Sequence, residues 1–106
     1  MNSEFLPDAE DEFREATRYY ETEAPGVGVA FIAEVRRAVR WMNPYAAVAA
    51  GRGLRSKMLN HFPYNILYAV EHDLILIVAV AHQKRRPRYW RARIKQIKKR
   101  QAQKTD

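Results

Sequence analysis

Tyr64-Asn65-Ile66-Leu67-Tyr68-Ala69-Val70-Glu71-His72-Asp73-Leu74-Ile75-Leu76-Ile77-Val78-Ala79-Val80-Ala81 is the stretch that decides the fold. Two runs rich in β-branched and aromatic residues flank a three-residue polar break, the pattern of a tight antiparallel hairpin. Both runs are apolar at odd and even positions alike, so both faces of the resulting sheet need cover. One face must take helices; the other needs a second layer or forms part of a partner site. The longest uninterrupted apolar run, Leu74 to Ala81, is too short to cross a bilayer.

Upstream of the hairpin the period is also two. Leu54, Ser56 and Met58 alternate with Arg55, Lys57 and Leu59, which predicts a strand with Arg55 and Lys57 on one face. A linker of small residues precedes it, running through Gly53. Before the linker the period becomes helical. Ala9, Phe13, Ala16 and Tyr20 form one apolar stripe, and Val27, Phe31, Val35, Ala38 and Met42 form another. Pro7-Asp8 marks the first helix start, with Asp8, Glu10, Asp11 and Glu12 crowding the end where the helix dipole favours carboxylates. Ala24-Pro25-Gly26 breaks the two stripes, and Asn43-Pro44 stops the second. So short a break predicts an antiparallel helix hairpin. Residues 2–6 give one short strand at most. The expected fold is α+β in (β)ααβββ order: an N-terminal helix hairpin packed on a small antiparallel sheet of three or four strands. Beyond Pro87, Trp90, Ile94 and Ile97 predict a terminal helix that frays into a charged tail, and Trp90 is expected to pin that segment to the sheet. The boundaries are a domain over 1–93 and a basic C-terminal extension over 94–106.

The 106 residues carry a formal net charge of +7, and its distribution is uneven. From His82 to Asp106 there are eleven Lys or Arg and one acid, whereas the preceding residues hold eight basic and eleven acidic side chains. The chain is a mildly acidic body with one concentrated basic end. Such a patch, interleaved with Tyr89 and Trp90, suits phosphate, stacked bases or an acidic protein segment, or else is a solvated tail. There is no cysteine, hence no disulfide framework and no thiolate metal site. The histidines at 61, 72 and 82 lack a metal-ligand spacing, and neither a metal nor a cofactor is implied. The polar, acidic start has no secretory pattern; the expected setting is cytoplasmic, with no membrane partner.

The candidate site is Arg55, Lys57, His82, Arg85 and Arg86, with Tyr89 beside them as a target- or phosphate-binding residue. Two cations leave one strand and the others follow the end of another, so convergence on one side of the sheet is expected. RNA cleavage through the 2′-hydroxyl needs a proton acceptor, a proton donor and cations around the phosphorane. His82 with these arginines supplies those types, with His82 as the catalytic candidate. Tyr64 and Tyr68 share a face and are expected to pack in the core or cap its edge, and the Tyr19-Tyr20-Glu21 triplet is expected to anchor the first helix. No Ser-His-Asp set, phosphate-cradling glycine loop or zinc spacing is present.

Read in order, several short motifs resemble one known family. They are Tyr19-Tyr20-Glu21, then Pro25-Gly26-Val27-Gly28 leading to Phe31, Glu34 and Val35, Asn43-Pro44, and Leu54-Arg55. Phe62-Pro63-Tyr64 with Ile66 and Tyr68 follows, and last Ala79-Val80-Ala81-His82 with Arg86-Pro87 and Trp90. Over roughly residues 5–93 the chain resembles the RelE/ParE superfamily of toxins from bacterial type II toxin–antitoxin modules. The resemblance implies a small basic toxin held inactive by a cognate antitoxin, whose C-terminal segment wraps it. It also implies one of two targets, because RelE-like members cleave messenger RNA on the ribosome whereas ParE-like members inhibit DNA gyrase. The chain departs from the RelE catalytic pattern, since His82-Gln83 stands where a Tyr would follow the last strand. The reading therefore leans to the gyrase-directed branch. The alternatives are a ribosome-dependent mRNA endoribonuclease and a non-catalytic nucleic-acid-binding module. The antitoxin segment is expected to combine apolar anchors with acids, crossing the helix hairpin toward an uncovered sheet face near Arg55, Arg85 and Arg86. The short lead before the first helix implies a stunted or absent first strand.

Overall fold

The computed structural model describes residues 2–42, 48–51 and 53–104. In chain order the elements are β1 (Asn2–Phe5), α1 (Pro7–Glu23), α2 (Val27–Arg40), β2 (Val48–Gly51), β3 (Leu54–Met58), β4 (Tyr64–Glu71) and β5 (Leu74–His82). A short 3₁₀ helix (Tyr89–Arg93) and α3 (Ile94–Lys104) follow. The α+β architecture is the expected one, with the helix hairpin in front of the sheet. The sheet itself differs in two particulars. It has five strands, ordered β1-β5-β4-β3-β2, and β1 runs parallel to β5. The stunted first strand does form, and β2 lies inside what reads as a small-residue linker. The helix stop at Asn43-Pro44 falls outside the described residues.

Pro7 opens α1 at a position where no backbone donor is needed. Ala9 and Ala16 of its stripe are buried. On α2, Phe31 and Val35 are fully buried. The turn between them depends on Gly26, whose φ of 91° is unfavourable for any residue with a Cβ. The expectation for the Tyr19-Tyr20-Glu21 triplet resolves residue by residue. Tyr20 packs among Phe31, Phe62 and Tyr64, while Tyr19 is exposed. The Glu21 carboxylate accepts the N–H groups of Gly26 and Gly28, which satisfies free donors at the start of α2 and places negative charge at the positive end of its dipole.

Gly28 is where the two helices touch. A Cβ there would stand 2.8 Å from the Thr17 carbonyl oxygen and 2.8 Å from the Glu21 Cβ. Gly28→Ala is therefore expected to wedge the hairpin open at a cost of roughly 1–3 kcal/mol. A thermal melt should show a drop of about 4–8 °C per kcal/mol. An unchanged melting temperature would mean that the helices separate freely.

The β4–β5 hairpin turns on His72 and Asp73, with Glu71 opposite Leu74 and His72 in the left-handed region at φ 50°. A bulge at Val78 separates the pair Leu67–Ala79 from Tyr68–Ile77. Tyr64, Ile66 and Tyr68 share the face under α1 and α2, as the ring contact between Tyr64 and Phe31 shows. The opposite face carries Leu67, Ala69 and Glu71 from β4 and Glu4 from β1. It is not left open for a partner. Trp90 and Ile97 are buried in the same core, and Arg100 of α3 reaches both Glu4 (2.6 Å) and Glu71 (3.5 Å). The C-terminal segment is thus the second cover, and the apolar face expected to await the antitoxin is already occupied.

Candidate functional site

β1 flanks β5 only as far as Ile77, where the Leu6 N–H closes the ladder on the Ile77 carbonyl at 2.9 Å. Beyond that point the outer edge of β5 needs other partners. Glu12 of α1 and Arg93 supply them. The Val80 N–H donates to Glu12 at 3.0 Å, and the Arg93 guanidinium donates to the Val78 carbonyl at 2.9 Å. The two side chains also pair with each other at 2.8 and 3.0 Å, and Tyr89 donates its hydroxyl to the same carboxylate. Burial, then the Glu12 carboxylate, push the Tyr89 phenol well above its ordinary range, so it stays a proton donor. Arg85 lies over the Tyr89 ring with its guanidinium carbon 3.9 Å from the centroid.

This hub fixes the end of β5 and with it His82. The His82 Nδ1 accepts the Lys84 N–H at 3.0 Å, so a neutral ring carries its proton on Nε2. Tyr64 stands edge-on to the imidazole, with ring centroids 5.1 Å apart. Burial raises the Tyr64 pKa, helped by the neighbouring Tyr20. Glu15, Tyr19, Tyr64, His82 and Arg85 together line a shallow cleft of about 280 Å³ between α1 and the end of β5.

The structure gathers His82, Arg85, Arg86 and Tyr89 at the end of β5 and keeps Arg55 and Lys57 apart from them. His82 and Arg85 share the cleft just described. His82, Arg85 and Tyr89 also border a second groove, in which Arg86 is exposed beside Pro87 and Arg88 and which reaches Asn65 and Leu67 on the α3 side of the sheet. Arg55 and Lys57 sit opposite Tyr68 and Ile66, on the face under the helices but on the far side of β4. Between Lys57 and His82 lie Ile66 and Tyr64, so the two strand cations do not join the histidine. Tyr89 is held by Glu12 and flanked by guanidinium groups rather than free to stack. Of the described cations from Lys84 to Lys99, only Arg93 is in an ion pair, which leaves an extended basic ribbon over the C-terminal end. Among the described residues no group of three or more His, Asp or Glu is placed to hold a metal.

Two further carboxylates matter: Glu12, read from the sequence only as charge in the first turn of α1, and Glu34, read only as part of the motif with Phe31 and Val35. Glu12 falls three residues after Ala9 and four before Ala16, on the apolar stripe, and Glu34 falls three after Phe31 and next to Val35. A carboxylate on the inward side of a helix calls for a partner. Glu34 finds the turn after β3: it accepts the N–H groups of Asn60 (2.7 Å) and His61 (3.1 Å) and meets His61 Nδ1 at 2.6 Å. Burial alone would raise its pKa, but these hydrogen bonds outweigh that and hold it below the ordinary carboxylate value.

Comparison with known proteins bears on the family and the fold. A family model described as the ParE toxin of the type II toxin–antitoxin system parDE matches residues 4–87. Among solved structures, the fold is similar to the chromosomal ParDE toxin–antitoxin system from P. aeruginosa. The TM-score is 0.65 at 14% identity, covering 77% of this chain and 95% of that one. It is also similar to the isolated E. coli RelE toxin, with a TM-score of 0.54 at 17% identity, covering 91% of this chain and 97% of that one. No curated protein sequence matches the chain.

Proposed function

The chain belongs to the ParE toxin family of type II toxin–antitoxin systems, and from that premise we propose that it arrests growth by inhibiting DNA gyrase until a cognate antitoxin silences it. The observation that carries the gyrase reading is the separation of the two strand cations from His82. Arg55 and Lys57 lie across β4 from His82, and the Tyr89 hydroxyl is committed to Glu12. A phosphorane intermediate at His82 would have Arg85 and Arg86 of the candidate cations on the grooves it borders, and neither Arg55 nor Lys57. The second reading, mRNA cleavage on the ribosome, is favoured by the cleft that gathers His82, Arg85, Glu15 and Tyr64.

Two assays separate these readings: gyrase supercoiling in vitro, and mapping of messenger RNA ends in cells expressing the chain. Loss of supercoiling without new RNA ends is the expected result; new ends with supercoiling intact would overturn it. His82→Ala is expected to leave toxicity within about twofold, whereas removing a general acid or base costs roughly 10²–10⁴-fold. A melt of the variant distinguishes lost chemistry from lost fold.

The antitoxin segment, with its acids and apolar anchors, is directed here to the outer groove of the helix hairpin. Phe13 and Ile32 line that groove, with Arg14, Arg18 and Arg36 and the carboxylates Glu10 and Glu21 around them. Its acids would extend toward Arg85 and Arg86, giving an association rate that falls as salt rises. Arg85→Glu with Arg86→Glu should slow association and weaken toxicity together. An association rate and salt dependence unchanged by that double reversal would show that the basic end does not serve the antitoxin.

A further inference from the structure

A separate cleft of about 230 Å³ opens between the C-terminal end of α2 and the turn joining β3 to β4. Glu34 forms its brace. By bonding Asn60 and His61 it ties the turn to α2, and its own charge is engaged in doing so. The remaining lining is of two kinds. Ala38, Trp41, Met58 and Leu59 are apolar, and Arg37 and Lys57 are cations with no ion pair among the described residues. Trp41 is 77% exposed and Met58 60% exposed, two of the most exposed large apolar side chains among the described residues. Leaving both in water is unfavourable unless something covers them.

We propose that this cleft docks a segment of a partner protein that inserts one apolar side chain beside Trp41 and Met58 and sets a carboxylate on Arg37 and Lys57. Trp, Met and Arg are the side chains enriched where proteins meet, and a desolvated aromatic ringed by polar groups is the usual centre of such a contact. Charge complementarity fixes the sign of the partner. The apolar lining, with Glu34 and His61 occupied by each other, offers little to read the edge of a nucleobase, which argues for a protein segment over a nucleic acid. The cleft holds one side chain, so its occupant is an anchor within a longer contact. The inference does not depend on which target the chain attacks.

Nuclear magnetic resonance on the full, ¹⁵N-labelled chain tests it, because the chain's two tryptophans report different places: Trp41 in the cleft and Trp90 in the core. The probe is the peptide acetyl-Asp-Glu-Leu-Leu-Asp-Glu-amide, added to about 1 mM, a range suited to a single weak anchor. The expected result is a saturable shift of the Trp41 indole N–H and of the amides from Lys57 to His61, with the Trp90 indole unmoved. Replacing both leucines of the peptide by serine should abolish the indole shift, while the acids still perturb the ribbon from Arg85 to Lys99. Arg37→Glu with Lys57→Glu, and separately Trp41→Ala, should each weaken the peptide at least about tenfold. Should one variant melt early, the other carries the test. A Trp41 indole that does not move overturns the proposal, as do equal shifts with the serine peptide. It is overturned equally if oligothymidine saturates the cleft more tightly than the peptide, or if the shift appears with protein concentration alone, which would mean self-association.

Discussion

Glu12→Ala is expected to lose roughly 2–4 kcal/mol of stability, a large share of what a domain of this size has. The carboxylate and its Arg93 partner are only 15% and 13% exposed. Truncation would take from Arg93 its closest carboxylate and strand a phenol and the Val80 N–H at once. In a thermal melt the drop should be on the order of 10–20 °C. The informative measurement is a double-mutant cycle with Arg93→Ala by urea unfolding. Removing both partners should cost less than the two single changes together, because the uncompensated charge is then gone. Strict additivity would show that Glu12 and Arg93 act independently, and that the edge of β5 is held by something else.

The second large effect is expected at Phe31. Its ring is fully buried, 5.1 to 5.9 Å between centroids from Phe13, Tyr20, Phe62 and Tyr64. Phe31→Ala removes the hub of that cluster and should cost about 3–5 kcal/mol, whereas Phe31→Leu should cost under about 1.5 kcal/mol. The denaturant midpoint should fall while the slope of the transition stays unchanged. Because Tyr64 rests on Phe31 and stands against His82, the alanine variant should also shift the His82 ring resonances. A loss below about 1 kcal/mol would mean that the neighbouring rings collapse into the space.

The helix hairpin was legible because Ala9-Phe13-Ala16-Tyr20 and Val27-Phe31-Val35 keep a helical spacing across one break. The central hairpin was legible because runs of β-formers flank a short polar turn. The two outer strands were not. Asn2-Ser3-Glu4-Phe5 has neither alternation nor β-branched residues, and its place is set by Leu6 and Phe5 docking on the core. Val48-Ala49-Ala50-Gly51 is a run of small residues with no period of two. The candidate site was half legible. The types of residue near the end of β5 were evident, but no spacing says that Lys57 and His82 are kept apart by Ile66 and Tyr64. Arg93 hid among many cations, and its partner Glu12 lies 81 positions away. The position of Glu12 on an apolar stripe was the available signal.

The parallel pairing of β1 with β5 joins Asn2 to Leu74, 72 positions apart. Residues 2–5 are synthesised ahead of their hydrogen-bonding partners, which follow only after roughly 4–14 s at ordinary elongation rates. The hairpin of β4 and β5 closes over a two-residue turn as soon as it is available, whereas β1 must close a loop spanning most of the chain. Assembly therefore has an order, with the central hairpin first and the opening strand last. The interval between them is a delay built into the birth of each molecule, during which one edge of its sheet is still unpaired.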